Sequence, residues 1–177
     1  MVLKASAPAT IDLGDLERNP PPAIGESRAP GFVEAAGLCL TSEGHKTGIA
    51  LDLRQDGKTS RVALRWSIRK GAARSWDDIE ATADGAVAVG LSLVRHTMGL
   101  DALDRGRIPS GFDYWLGTPD GALTAVVEIS GIRRGNERQI AARLRDKKQQ
   151  IGNNHARLTA YALIVEFSRP RADVGLR

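Results

Sequence analysis

Residues 111–132 read Gly-Phe-Asp-Tyr-Trp-Leu-Gly-Thr-Pro-Asp-Gly-Ala-Leu-Thr-Ala-Val-Val-Glu-Ile-Ser-Gly-Ile, and their pairing decides the fold. An aromatic-rich run at 112–117 and a β-branched run at 123–129 flank Pro119-Asp120-Gly121, which is strong turn chemistry. A two-residue turn at Asp120-Gly121 pairs Gly117 with Thr124 and Asp113 with Glu128. The two carboxylates then share one face with Cβ atoms roughly 5 Å apart, a repulsive arrangement unless a cation lies between them. Such a pair suits a hard, oxygen-seeking cation such as Mg²⁺. The same tripeptide also suits a type I turn with Gly121 left-handed. That turn moves the pairing by one and sends the acids to opposite faces. The sequence leaves both turns open, and a solvated acidic face is the plain alternative to a metal site.

Upstream, Trp76-Asp77-Asp78 introduces a helix with Asp77 or Asp78 as N-cap. Ile79, Ala83, Val87, Leu91, Val94 and Met98 form one apolar stripe, and Gly99 is the expected stop. Glu80 and Asp84 lie one turn apart on this helix, where they complement its dipole. Residues 101–110 read as a polar connection with Ile108 as the one good strand former. Downstream, 136–151 reads as a helix capped by Asn136, with Ile140, Leu144 and Ile151 on its apolar side. Arg133, Arg134, Arg138, Arg143, Lys147 and Lys148 make this the most basic block of the chain. It is either a solvated face or a cradle for a phosphate backbone. Residues 158–167 are nearly continuously apolar, as in a strand buried on both faces.

Residues 1–30 are rich in Ala and Pro, with Ile11, Leu13 and Leu16 as apolar anchors, and read as an extended or flexible arm. Residues 31–68 read as an antiparallel meander: a strand over 32–40, then two strands that meet at Asp56-Gly57. The arm or the meander is the expected place for protein partners. Residues 169–177 read as a frayed tail.

The 177 residues carry a formal charge of +4, which permits a nucleic-acid partner without demanding one. One cysteine, Cys39, excludes an internal disulfide and fits a reducing, cytoplasmic setting. No apolar run reaches membrane-spanning length, so no membrane association is expected. The three histidines lack metal-ligand spacing, and no Walker loop, Gly-x-Ser-x-Gly elbow or dinucleotide fingerprint occurs.

Gly-Phe-Asp113, a hairpin, and then Val-Glu128-Ile-Ser130-Gly resemble the signature of the PD-(D/E)XK nucleases, restriction-endonuclease-like proteins. The resemblance spans residues 77–168, in the order helix, strand, strand, helix, strand. It implies an α+β fold, a small mixed sheet flanked by helices, with the meander added at the N-terminus. It also implies Mg²⁺ on Asp113, Glu128 and the Ile129 carbonyl, with Glu80 as an additional acid. The family's lysine is expected at Ser130, so this chain departs from the pattern there. Lys147 or Lys148, reaching in from the basic helix, is one candidate replacement, beside the reading of that helix as a solvated face or a phosphate cradle. Three readings follow: a Mg²⁺-dependent nuclease, or a nuclease-derived subunit of a larger assembly; an inactive nuclease-like structural or nucleic-acid-binding subunit; and an α+β interaction domain whose hairpin acids are incidental.

Overall fold

A computed structural model describes residues 9–107, 110–152 and 158–177. The fold is α+β: one mixed sheet of eight strands, with two long helices on one face and one on the other. The sheet is therefore larger than the small core expected. Its strands are β1 (Ala9–Asp12), β2 (Ile49–Gln55), β3 (Lys58–Arg65), β4 (Asp101–Arg105), β5 (Tyr114–Gly117), β6 (Leu123–Ile132), β7 (Thr159–Glu166) and β8 (Arg171–Leu176). In space they run β1-β3-β2-β8-β7-β6-β5-β4. The helices are α1 (Gly14–Arg18), α2 (Gly25–Ser42), α3 (Asp78–Met98) and α4 (Glu137–Ile151). Among the described residues no helix is long and apolar enough to cross a membrane.

Four expectations are corrected. Residues 32–40 are not a strand but the body of α2. Buried Ala29, Phe32, Val33, Ala36 and Leu40 recur at helical steps; Ala35 and Ala36 serve the close crossing with Gly85 of α3, and Gly37 makes room for Trp66 and Ile68. The N-terminal arm is folded from residue 9 onward. β1 lies parallel to β3, and Ile11, Leu13 and Leu16 are core residues. Residues 101–105 form β4, an edge strand that forms by pairing with β5 although it has little strand propensity of its own. The tail is β8, inserted between β2 and β7, with Ala172 and Val174 buried. Through β8 the β2–β3 hairpin becomes a continuation of the main sheet.

Other local signals act as read. Asp56 and Gly57 both take positive φ at the β2–β3 turn. Asp77 caps α3, accepting from the Ile79 and Glu80 amides at 2.8 and 3.3 Å, and Gly99 ends it left-handed at φ 65°. Asn136 and Gln139 close a capping box at the start of α4.

α3 is sandwiched between the sheet and α2, so from Gly85 to Val94 it is buried nearly all round. Its small residues permit this. A Cβ on Gly85 would stand 2.9 Å from the Ala36 backbone, and one on Gly90 3.1 Å from Ile129. The expected stripe fails at its N-terminal end, where Ile79 is 82% exposed and Ala83 is exposed. Both line the cleft described next. The opposite face of the sheet packs a smaller cluster of Phe112, Val126, Ile151, Ala160 and Ala162 beneath α4.

Candidate functional site

The hairpin combines features of both turns. Thr118 and Gly121 close a turn with the Gly121 N–H donating to the Thr118 carbonyl at 2.9 Å, and Gly121 has φ 91°. This is the left-handed glycine geometry that shifts pairing by one. A second irregularity cancels it: Gly117 pairs with Leu123 but Leu116 pairs with Ala125, so Thr124 is an extra residue on β6. Beyond the bulge Tyr114 pairs with Val127, which sets Asp113 beside Glu128.

β6 outlasts β5. From Glu128 to Ile132 it pairs with β7 but has no β5 residue opposite, and a cleft of about 690 Å³ opens at this free edge between α3 and α4. Asp113 takes the place of the departing strand. Its Oδ2 accepts the Ile129 N–H at 2.8 Å, and its own N–H donates to the Val127 carbonyl at 2.9 Å. The N–H and C=O of one strand residue point the same way, so the Ile129 carbonyl faces the same opening.

Glu128 is 4% exposed. Burial raises its pKa from the ordinary 4.5 to about 7, and the Asp113 charge and a hydrogen bond with the Asp113 carboxyl add to the rise. Opposing them is Lys147 on α4, whose Nζ lies 2.6 Å from Glu128 Oε1. Gln150, one turn further on, donates to the same oxygen at 3.0 Å and accepts from Lys147 at 2.9 Å. Arg143, one turn before Lys147, donates to the Ser130 hydroxyl at 3.0 Å. One face of α4 thus supplies the cations for Glu128 and Ser130, and it is Lys147 rather than Lys148 that reaches the acids.

Two carboxyl groups this close require a proton or a cation between them. The donor set is oxygen only: Asp113, Glu128 and the Ile129 carbonyl. No cluster of three or more His, Cys, Asp or Glu suited to a metal occurs among the described residues. That set suits Mg²⁺, which commonly binds through one or two carboxylates and keeps waters or substrate phosphate oxygens for the rest.

The remaining candidates are dispersed. Glu80 is exposed and does not line the cleft, whereas Asp84, one turn on, does. Burial raises the Asp84 pKa, against the opposing field of Arg28. Arg133 and Arg134 are turned toward Glu43, at 2.9 and 2.8 Å. Burial pushes Glu43 up, but the hydrogen bonds from Arg134 and Arg133 outweigh it and hold its pKa low. Arg138 is exposed on the outer side of α4, and Lys148 is half-buried, its stem beside Gly175. Sequence reasoning missed Gln150, although its i,i+3 spacing from Lys147 places both on one helix face. It also missed Arg28 and Arg105, which nothing local in the sequence ties to the hairpin.

The class defined by fold and site is an α+β protein with a carboxylate pair and a lysine at an unpaired strand edge. No family model, curated protein or solved structure matches the chain.

Proposed function

We propose that the chain is a Mg²⁺-dependent nuclease of PD-(D/E)XK type whose lysine is delivered from α4. The observation that carries this reading is the ion pair of Lys147 with Glu128 at 2.6 Å, beside Asp113, at the open edge of β6. The ammonium stands next to Glu128, as a lysine at position 130 would. Asp113, Glu128 and the Ile129 carbonyl are the residues to hold the metal. When bound, Mg²⁺ would polarise a phosphodiester and lower the pKa of a bound water.

The chain's own groups have definite tasks in that setting. Asp113 is locked by the Ile129 amide, so its carboxylate is pre-oriented. Lys147 offers positive charge where negative charge develops on phosphate oxygens, the kind of contribution whose removal typically costs about 10²–10³ in rate. Gln150 holds Lys147 and Glu128 together. Arg143 beside Ser130 adds a guanidinium suited to a neighbouring phosphate.

A second reading, an inactive nuclease-like subunit that binds nucleic acid, draws on the same ion pair. Lys147 already neutralises Glu128 without metal, so the site is electrostatically self-sufficient. A cleavage assay separates the two. Purified protein with Mg²⁺ or Mn²⁺ is expected to cut DNA or RNA, and Lys147→Met and Glu128→Gln are each expected to lower the rate at least about 100-fold. Absence of metal-dependent cleavage at high protein concentration, with salt-sensitive binding retained, would select the second reading. In that case Ser130→Lys is the variant expected to restore cutting.

A further inference from the structure

We infer that Arg28 on α2 and Arg105 on β4 form a phosphate-binding subsite on the side of the cleft opposite α4, where a nucleic-acid strand crossing the carboxylate pair is held by its backbone. The inference rests on the nucleic-acid reading above and extends it to residues outside the basic helix.

Both arginines line the same cleft as Asp113, Glu128 and Lys147. They approach it from the other face of the sheet. Tyr114 belongs to the core beneath α2 and α3, while Lys147 reaches in from α4. Each guanidinium is laid on a buried aromatic ring: Arg28 on Phe32 at 4.9 Å, and Arg105 on Tyr114 at 5.5 Å. Both rings are 2% exposed, so these platforms are rigid. The two charges act on one neighbourhood, since the fields of both reach Asp84 and the Tyr114 hydroxyl.

What distinguishes the two is their lack of partners. Among the described residues no carboxylate lies within ion-pair distance of either guanidinium, and neither side chain makes a hydrogen bond. The other cations of the cleft are engaged: Lys147 with Glu128, Arg143 with Ser130, Arg133 with Glu43. A stacked guanidinium keeps its planar fork of donors free and loses little rotamer freedom on binding, which suits a tetrahedral oxyanion. Asp84 opposes both arginines, and Asp113 adds to it at Tyr114, but neither carboxylate lies within ion-pair distance of either guanidinium.

The test compares the full chain with an Arg28→Gln/Arg105→Gln variant, binding fluorescent single- and double-stranded oligonucleotides in a chelator at several salt concentrations. Loss of two phosphate contacts is expected to flatten the slope of log affinity against log salt by about 2 for duplex and about 1.4 for single strands. Affinity at low salt is expected to fall roughly 10- to 100-fold. Should the double variant fail to fold, Arg28→Gln alone, at an exposed helix position, reads half of the slope change. Oligonucleotides with and without a 5′-phosphate identify the source. A gain from the 5′-phosphate that the variant erases assigns the subsite to a terminal phosphate, and equal binding assigns it to an internal phosphodiester. Unchanged slope and affinity, or no binding by the parent protein, would overturn the subsite. Cleavage in Mg²⁺ is measured in parallel. Binding that the variant loses, in a parent protein that never cuts, would keep the subsite and retire the nuclease.

Discussion

Glu128→Gln is expected to stabilise the metal-free protein at pH 8 and to leave its stability nearly unchanged at pH 4.5. In the fold the Glu128 pKa is raised from 4.5 to about 7 by burial and by the Asp113 charge. Below pH 4.5 the carboxyl is protonated in both folded and unfolded chains, so it adds no difference. Between 4.5 and 7 the unfolded chain gives up its proton first, and stability falls as pH rises. Above pH 7 the whole penalty is present, roughly 3 kcal/mol at 1.36 kcal/mol per pH unit of pKa difference. A glutamine removes the charge and still offers an oxygen to Lys147, which also keeps Gln150 at 2.9 Å. Allowing for imperfect replacement hydrogen bonds, a gain of about 1–3 kcal/mol remains at pH 8. For a chain of this size that is a rise of several degrees in Tm, at about 2–4 °C per kcal/mol. The assay is thermal or denaturant unfolding with a chelator at both pH values, then repeated with millimolar Mg²⁺ at pH 8. Added Mg²⁺ is expected to raise the parent's midpoint and not the variant's. Destabilisation at pH 8, or an equal shift at both pH values, would refute the electrostatic account of this pair.

Two further predictions concern the core. Gly85→Val puts a Cβ within 2.9 Å of the Ala36 backbone, so α2 and α3 must separate. A loss of about 2–3 kcal/mol in denaturant unfolding is expected, and unchanged stability would contradict the close helix crossing. Cys39 is fully buried, donates to the Ala81 carbonyl at 3.2 Å, and has its pKa pushed by burial to about 11. A thiol reagent at pH 8 is therefore expected to label it only as fast as the protein opens, and labelling at the rate of a free cysteine would disprove its burial.

Local chemistry in the sequence determined much of this molecule. Asp77, Gly99 and Asn136 mark helix ends because a cap is a contact between a side chain and its own nearby backbone. Asp56-Gly57 turns the chain for a similarly local reason. The apolar run at 158–167 announced a buried strand, because a strand covered by helices on one face and α4 on the other has no polar side to show. The candidate acids Asp113 and Glu128, and a lysine on the following helix, could also be named from sequence, since each lies on a recognisable element.

Tertiary structure decided the rest. β4 and β8 have weak strand sequences and exist because neighbouring strands offer unpaired backbone. α2 looked strand-like because its small residues answer to distant segments, Ala36 to Gly85 on α3 and Gly37 to Trp66, rather than to their own helix. The face shared by Asp113 and Glu128 depended on Thr124, a bulge that offsets the shift made by the turn, and a register is a property of two strands together. The meeting of Lys147 with Glu128, and the placing of Arg28 and Arg105 together on the opposite side of the cleft, required the sheet to bring distant segments to the free edge of β6. Side-chain types are written in the chain, but the distances that turn them into a site arise only when non-local pairing places one strand beside another.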